Sequence, residues 1–426
     1  MGSKNAEHTL MSGQESILLP LLVVSLIVMT LISSSSDISL GLLGNVIAFG
    51  IYLLVLASIF AIHEILYLPK EPTMAFGVIY LLFIIGFIRD VSGFINHPES
   101  YTYPISDIQL ALGTANIIGY ILGSFVLVFL IPKYFKQEWF FATIVLASSV
   151  SILVGLPAYI TGNYSLLGVH VNTYTALEPL RQFGIQIPAL ASFWGDANAM
   201  SKITVAGLFG SHYLYSRQKS SVNLLLIGLN AFGLFLANSR MSIIAVTVAY
   251  SVYFVYRVFD NTATVVYLLV SGFTGSILFL LIALGIGTDG IIPSSGFSGR
   301  IPLWKGSIVS FFKYPLIGIG IHNVGEAVSA NTGVSTLAPQ NSYLRIFVAG
   351  GIVGGTLYIS TILSATLQYV TTIKSEADLL TLSLLIAFTL IQFTDTAHPF
   401  GVNKSALIFG ATLGYVIDQV YAQGSS

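Results

Sequence analysis

Four arginines stand in polar breaks of this chain or at the mouth of a long apolar stretch: Arg181, Arg240, Arg300 and Arg345. A guanidinium group stays charged at any working pH and binds phosphate oxygens through two parallel hydrogen bonds. A single arginine at a membrane edge is usually an anchor whose charge reaches the headgroups. Several arginines on one side favour a shared anionic ligand instead, because charge at a membrane edge usually marks function. The sequence therefore predicts a phosphate-binding site.

Polar residues near these arginines supply other groups that could bind a ligand or move a proton. The side chains that could hydrogen-bond a polar ligand are Asn198, Gln340, Asn341 and Tyr343. The groups that could accept a proton are His322 and Glu326, with Asp196, Asp395 and His398 as alternatives. No cluster of histidines or paired carboxylates has the spacing of metal ligands, so we expect a site without metal.

The composition of the chain restricts where such a site lies. Of its 426 residues, 55% are hydrophobic and only 8% are charged, and the mean hydropathy is +0.85. A soluble domain carries roughly 25% charged residues, so the composition excludes a soluble globular protein. The net charge of −1 gives no electrostatic basis for binding nucleic acid. The absence of cysteine excludes disulfides and thiolate chemistry.

Continuous apolar runs predict an all-α polytopic membrane protein with about twelve transmembrane helices, at roughly 20 apolar residues each. The predicted spans are Ile17–Ile32, Ile38–Ile62, Met74–Ile88, Ile108–Ile131, Phe140–Ile160, Ala199–Tyr215, Val222–Leu236, Met241–Tyr256, Ala263–Ile286, Tyr343–Val370, Leu379–Phe393 and Val402–Tyr421. They form one transmembrane domain over residues 17–421, preceded by a polar tail at 1–16. Two long segments, 161–198 and 288–342, connect spans on the outer side.

The lysines and arginines of the loops predict the orientation of the chain. With the N-terminus inside, the basic residues on the inner side lie in short loops, where the positive-inside rule has most force. Most basic residues on the outer side lie in the two long segments, where the rule is weak. We therefore predict a protein of the cytoplasmic membrane whose arginine-rich site faces the periplasm or the outside.

The second long segment contains an amphipathic stretch. From Arg300 to Phe312 the apolar residues recur at helical spacing, with lysines beside them. This pattern predicts a helix that lies in the outer interface of the membrane. Pro315 and the glycines that follow it end the helix. A second group of glycines, at 350–355, would let another helix approach closely.

Short motifs along the chain point to a known family. The stretch from Arg181 to Asn198 is similar to an Arg-Gly pair followed by Asp-Pro-Asn, with Ala197 where proline is usual. Ser239-Arg240 is similar to a Ser-Arg turn. The two motifs come in the order in which the family carries them.

Two further motifs follow in the second half of the chain. Arg300 with the run Pro315–Gly320 is similar to the interfacial-helix stretch of the family, and Gln340-Asn341 with its trailing glycines is similar to a His-Asn motif. From Arg181 to Val370 the chain thus resembles the O-antigen ligase and O-antigen polymerase superfamily.

The resemblance implies a membrane glycosyltransferase with a GT-C-like arrangement of helices and no cofactor. Its partners would be the lipid bilayer, an oligosaccharide linked to undecaprenyl diphosphate or a similar polyprenyl diphosphate, and a chain-length regulator. The catalytic residues would be Arg240, Arg300, His322 and Glu326. The substrate-binding residues would be Arg181, Asn198, Gln340, Asn341, Tyr343 and Arg345.

Gln340 is the main departure from the family pattern. Ligases of the family carry a histidine there, which is thought to activate the acceptor hydroxyl, and glutamine cannot act as a general base. This favours a polymerase of lipid-linked repeat units, for O-antigen or a related surface polysaccharide, over a ligase that transfers the glycan to a separate acceptor. A secondary transporter is the alternative of another class, although the chain lacks paired interrupted spans in matching halves.

Overall fold

The computed structural model describes residues 23–31, 50–55, 68–96, 107–166, 168–175, 188–259, 261–283, 300–332 and 339–423. It is 81% helical, as the apolar runs predict. In a bilayer an apolar segment satisfies its backbone hydrogen bonds within itself only as a helix.

The helices follow the predicted runs closely. The first part of the chain forms α1 (23–31), α2 (50–55), α3 (Lys70–Asn96), α4 (Asp107–Phe125), α5 (Ile131–Tyr134) and α6 (Gln137–Thr161). A π-helical turn, Val126–Leu130, joins α4 to α5. The middle part forms α7 (Ala197–Arg217), α8 (Ser221–Ala237), α9 (Arg240–Phe259) and α10 (Thr262–Ala283). The last part forms α11 (Arg300–Lys313), α12 (Val324–Thr332), α13 (Ser342–Thr372), α14 (Glu376–Ile391) and α15 (Lys404–Gln423).

Within the described residues, five stretches are long and apolar enough to cross a membrane: Lys70–Arg89, Gly113–Tyr134, Gln137–Thr161, Arg240–Phe259 and Ser342–Thr372. Two shorter apolar stretches are Ser221–Ala237 and Thr262–Gly272. The chain is thus an integral membrane protein. A total of about twelve spans, at roughly 20 residues each, stays a prediction, as does the GT-C-like arrangement. The first two predicted spans lie largely outside the described residues.

Helix α7 lies in the centre of the bundle. It is buried from Ala199 to Ser211 and packs against α6, α8 and α14. Protein surrounds it on these sides, so it carries small and polar residues that a lipid-facing helix would avoid. Asn230 of α8 donates to Ser211 Oγ at 3.3 Å and accepts from Ser148 Oγ of α6. These bonds fix the three helices to one another.

A small antiparallel sheet covers part of the bundle between α6 and α7. Its strands are β1 (Tyr164–Leu166), β2 (Val169–Thr175) and β3 (Pro188–Ser192), in the order β1-β2-β3. The sequence did not predict these strands, which lie in the predicted outer segment 161–198. The innermost strand, β3, is almost wholly buried and packs against α6 and α7. This strand is stabilised by packing against the helices, and its sequence does not alternate between apolar and polar residues as a half-buried strand would.

Helix α11 confirms the amphipathic stretch that the sequence predicts. It begins at Arg300 and buries Ile301 and Trp304 against α12 and α13. Val309 and Phe312 remain exposed on its other face. An apolar exposed face fits a helix at the membrane interface, and that location stays a prediction.

The segment after α11 pairs its backbone with a break in α13. Helix α13 is interrupted at Gly351, whose φ of 63° lies in the left-handed region. There Ile319 N donates to Val348 O at 2.9 Å, and Ile352 N donates to Pro315 O at 2.7 Å. The segment thus supplies hydrogen bonds that the broken helix lacks. A side chain on Gly351 would overlap the carbonyl group of Leu316 in this segment, so the close approach of the two backbones requires glycine.

This pairing predicts that the neighbouring glycines Gly350 and Gly351 differ sharply in how well they tolerate substitution by alanine. Gly351→Ala forces a left-handed alanine, which costs about 1–2 kcal/mol, and it also overlaps backbone. Gly350→Ala adds a methyl group that meets only ordinary contacts with Leu82 and Phe83, at 3.8 and 3.9 Å. We expect a lower thermal unfolding midpoint for Gly351→Ala than for Gly350→Ala in detergent. Equal midpoints would contradict the pairing.

Candidate functional site

Among the described helices, α7, α9, α11, α13 and α15 begin near one another at an end of the bundle that we call the site end. Contacts between the residues at these starts join them. Ser239 Oγ, just before α9, donates to Asn198 Oδ1 of α7 at 3.1 Å. Arg300, the first residue of α11, contacts Gln340, just before α13. Because helix N-termini carry partial positive charge, this end favours anions.

Arg300 and Gln340 form the central contact of the site end. Arg300 Nε donates to Gln340 Oε1 at 2.8 Å, and both residues are half-buried. Gln340 has a left-handed backbone, with a φ of 46°. This conformation costs about 1–3 kcal/mol and is concentrated at functional sites. Since the partner is a neutral amide, the contact orients the guanidinium group without cancelling its charge.

Arg240 begins α9 and is exposed. The turn before it contains Asn238 in the left-handed region, with a φ of 50°, which reverses the chain between α8 and α9. On α7, Asp196 caps the helix by accepting from Asn198 N at 3.1 Å. The side chain of Asn198 accepts from Ser239, so it positions the turn that carries Arg240.

Asn341 and Tyr343 are buried in protein contacts. Asn341 caps α13 by accepting from Leu344 N at 2.9 Å, and its Nδ2 donates to Phe393 O at 2.7 Å. The Tyr343 hydroxyl donates to Thr389 O at 3.0 Å. These bonds favour a role in positioning α13. Direct binding of a sugar by either residue stays a prediction.

Arg345 lies one turn into α13 and reaches another helix. Its Nη2 donates to the hydroxyl of Tyr120 on α4 at 3.0 Å. The ring of His398, in the loop between α14 and α15, lies 6.4 Å from the ring of Tyr120. Burial, and then the positive charges of Arg345 and Lys202, hold the pKa of His398 well below its usual range. The imidazole is therefore neutral at neutral pH.

Two lysines belong to this end although the sequence did not single them out. Lys202 Nζ of α7 donates to Asp395 Oδ2 at 3.1 Å and to Thr396 O at 3.3 Å. Lys404 begins α15, and its Nζ lies 4.9 Å from the centre of the Trp194 ring. Lys202 falls inside a predicted span. A lysine within a span is a functional signal that would have found it.

Three predicted residues stand apart from these contacts. Arg181 lies outside the described residues. His322 packs against Gly113 of α4, and its ring lies 6.2 Å from that of Phe87. Glu326 is exposed in the first turn of α12. A catalytic role for His322 or Glu326 stays a prediction.

At the opposite end of the bundle, three basic side chains pair with carboxylates. Glu376 Oε1 accepts from Arg257 Nη1 at 2.6 Å, and Glu376 Oε2 lies 3.5 Å from Lys219 Nζ. Arg217, at the far end of α7 from Lys202, pairs with Glu138 at 2.9 Å. These carboxylates balance the arginines and the lysine, whereas Arg300 at the site end is held by an amide.

The groups at the site end suit an anion. The basic side chains gathered there are Arg240, Arg300, Arg345 and Lys404, together with Lys202, which forms an ion pair with Asp395. Within the described residues no group of three or more His, Asp or Glu side chains would hold a metal ion. That the site works without a metal or cofactor stays a prediction.

Comparison with known families gives a match to part of the chain. Residues 224–359 match the family model described as O-antigen ligase. The match runs from α8 into α13 and includes Arg240, Arg300, Gln340 and Arg345. No curated protein matches the chain.

The charge at the site end predicts binding of inorganic pyrophosphate. At a concentration one hundred times the dissociation constant, a bound ligand stabilises the folded state by about 2.7 kcal/mol. We expect pyrophosphate to raise the thermal midpoint of the purified protein, with a smaller rise for Arg300→Gln and as salt increases. Arg217→Gln, at the opposite end, is the matched control and is expected to keep the full rise. Equal rises in both variants would contradict the site.

Proposed function

Since residues 224–359 place this chain in the O-antigen ligase and polymerase superfamily, we propose that it is a polymerase. It joins oligosaccharide repeat units that are linked through a diphosphate to undecaprenol or a similar polyprenol. The product is O-antigen or a related surface polysaccharide. The donor is already activated by its diphosphate, so the reaction needs no nucleotide.

The contact between Arg300 and Gln340 carries the proposal. It lies within the matched residues and joins two of the motifs that resemble the family. The amide fixes the direction of the guanidinium and leaves its charge for a ligand. Arg240 and Arg345 lie on helices that begin at the same end. A diphosphate, with several negative oxygens, suits such a group of cations.

The chemistry follows from these charges. A hydroxyl oxygen of one repeat unit attacks the anomeric carbon of another, and the bond from that carbon to the diphosphate oxygen breaks. The electron pair goes to the diphosphate, and the hydroxyl proton goes to a base. Arg300 and Arg240 stabilise the charge on the leaving diphosphate. A well-placed donor of this kind contributes about 3–4 kcal/mol to transition-state stabilisation.

The base is a group other than Gln340, whose amide does not accept a proton at working pH. His322 and Glu326 remain our candidates from the sequence. Asp395 is less suitable, because its carboxylate is already occupied in an ion pair with Lys202. His398, in the loop between α14 and α15, remains a further candidate from the sequence.

An apolar cleft offers a place for the polyprenyl chain. It lies between α9, α10, α13 and α14, and its walls include Val252, Leu269, Ile362 and Leu390. Tyr343 and Phe393 line it near the site end. A diphosphate held by the arginines would thus have its hydrocarbon chain beside an apolar surface.

The proposed setting is the cytoplasmic membrane, with the site end toward the periplasm or the outside. The positive-inside pattern of the short loops supports this orientation. It places the Arg217 and Glu376 end in the cytoplasm. A chain-length regulator is the proposed protein partner.

The second candidate function is that of a ligase, which the description of the matched family favours. The same diphosphate would leave, and the attacking hydroxyl would belong to a separate acceptor. The products distinguish the two functions. Laddered chains that remain on polyprenyl diphosphate indicate a polymerase, and glycan on a separate acceptor indicates a ligase.

Removal of the Arg300 charge tests the proposed function. Arg300→Ala is expected to lower glycan transfer from a lipid-diphosphate donor by about a hundredfold or more, because the leaving diphosphate loses its oriented donor. Arg240→Ala is expected to act in the same direction. The matched control is Arg217→Ala, whose exposed ion pair lies at the opposite end. Wild-type turnover in purified Arg300→Ala would rule out the proposed role of Arg300.

Replacement of Gln340 tests the choice between polymerase and ligase. Gln340→His supplies a ring nitrogen that accepts a proton next to Arg300. We expect this variant to gain transfer to a separate acceptor, measured beside extension of the lipid-linked chain. Gln340→Leu, which removes the amide without adding a base, controls for loss of the Arg300 contact. If Gln340→His makes only the wild-type product, the residue at 340 does not set the choice.

A further inference from the structure

Lys202 and Asp395 form a buried ion pair that the proposed chemistry does not use. Their side chains are 8% and 19% exposed, and Lys202 Nζ lies 3.1 Å from Asp395 Oδ2. The two residues come from α7 and from the loop after α14. A buried ion pair gives up the hydration of both charges, so it is weak evidence for stability and better evidence for fixing one arrangement.

The loop at Asp395 is attached to the start of α13 by its backbone. Asp395 Oδ1 accepts from Thr396 N at 2.6 Å, and the carbonyl of Asp395 accepts from Ser342 Oγ at 3.1 Å. Ser342 Oγ also accepts from Ala397 N at 2.8 Å. The hydroxyl of Ser342 therefore binds the backbone both at Asp395, the partner of Lys202, and two residues later at Ala397.

Two more bonds extend this attachment to the residue beside Gln340. Ser342 N donates to Gln392 O at 2.9 Å, and Asn341 Nδ2 donates to Phe393 O at 2.7 Å. Gln340 immediately precedes these residues and accepts from Arg300. A continuous series of contacts thus runs from Lys202 on α7 to the guanidinium group of Arg300.

We propose that Lys202 and Asp395 are a positioning pair, which sets the direction of the Arg300 guanidinium through the loop 392–397 and Gln340. This inference rests on the proposed function, because its consequence is the rate of glycan transfer. The pair fixes the start of α13 against α7, the central helix of the bundle. Neither residue needs to touch the substrate for this role.

A double-mutant cycle tests the pair, with Lys202→Met, Asp395→Asn and the double variant. A misplacement of about 1 Å at a reacting group costs about a hundredfold in rate. We expect each single variant to lose turnover on that scale, with the KM for the lipid-linked donor within about twofold of wild type. Because both residues act through one contact, the double variant is expected to match the single variants, not the product of their losses.

The net charge of the double variant equals that of wild type. If Lys202 acts only by its field on the diphosphate, the double variant regains wild-type turnover, which would overturn the inference. If Lys202 binds the diphosphate directly, the KM rises and the effects multiply, which would also overturn it. A purely structural role lowers the yield and the thermal midpoint but leaves turnover per folded molecule unchanged, a third result against it.

The ion pair between Arg217 and Glu138 provides the matched control on the same helix α7. Arg217→Met and Glu138→Gln are expected to keep wild-type turnover. Lys202→Met leaves the Asp395 charge unpaired in a buried place and could fail to fold for that reason. The double variant has no such charge, so its turnover then tests the inference.

No transfer by wild type from a lipid-diphosphate donor would refute the proposed function. Transfer by wild type together with normal turnover in the double variant would refute only the positioning pair.

Discussion

The backbone pairing between the segment after α11 and the break in α13 is the constraint on which the site depends. It joins two elements that are separate in sequence. The amide of Ile319 donates to Val348 and that of Ile352 donates to Pro315, and Gly351 permits the close approach. Because the segment continues α11 and the break lies within α13, the pairing fixes the two helices. Their first turns then bring Arg300 to Gln340. In a membrane protein, a broken helix persists where protein supplies the missing hydrogen bonds.

The arginines at the two ends of the bundle have different partners. At one end Glu376 accepts from Arg257 and lies near Lys219, so these charges are satisfied within the protein. At the site end the central arginine is held by an amide, and five helix N-termini add partial positive charge. A charge that is kept for a ligand costs folding free energy. This distribution is the physical basis for our proposal that a lipid diphosphate binds at the site end.

The sequence predicted the fold more completely than the site. The apolar runs located the helices, and the amphipathic stretch located α11 to within a residue, because both patterns are local. The strands β1–β3 escaped prediction, since the buried strand β3 has no alternating pattern of its own. Among the site residues, Arg240 and Arg300 stood out by their charge. Lys202 did not, because it lies inside a stretch that was interpreted as an ordinary span.

By itself, the sequence determined three properties: that the chain belongs in a membrane, at which residues its helices form, and which of its few charged groups are unusual. Those properties depend on composition and on residues within a few turns of one another. Only the tertiary structure decided which of these groups meet. Arg300 and Gln340 are 40 residues apart, and Lys202 and Asp395 are 193 apart. Contacts at such separations depend on how helices pack and where α13 breaks, and no local pattern encodes that packing.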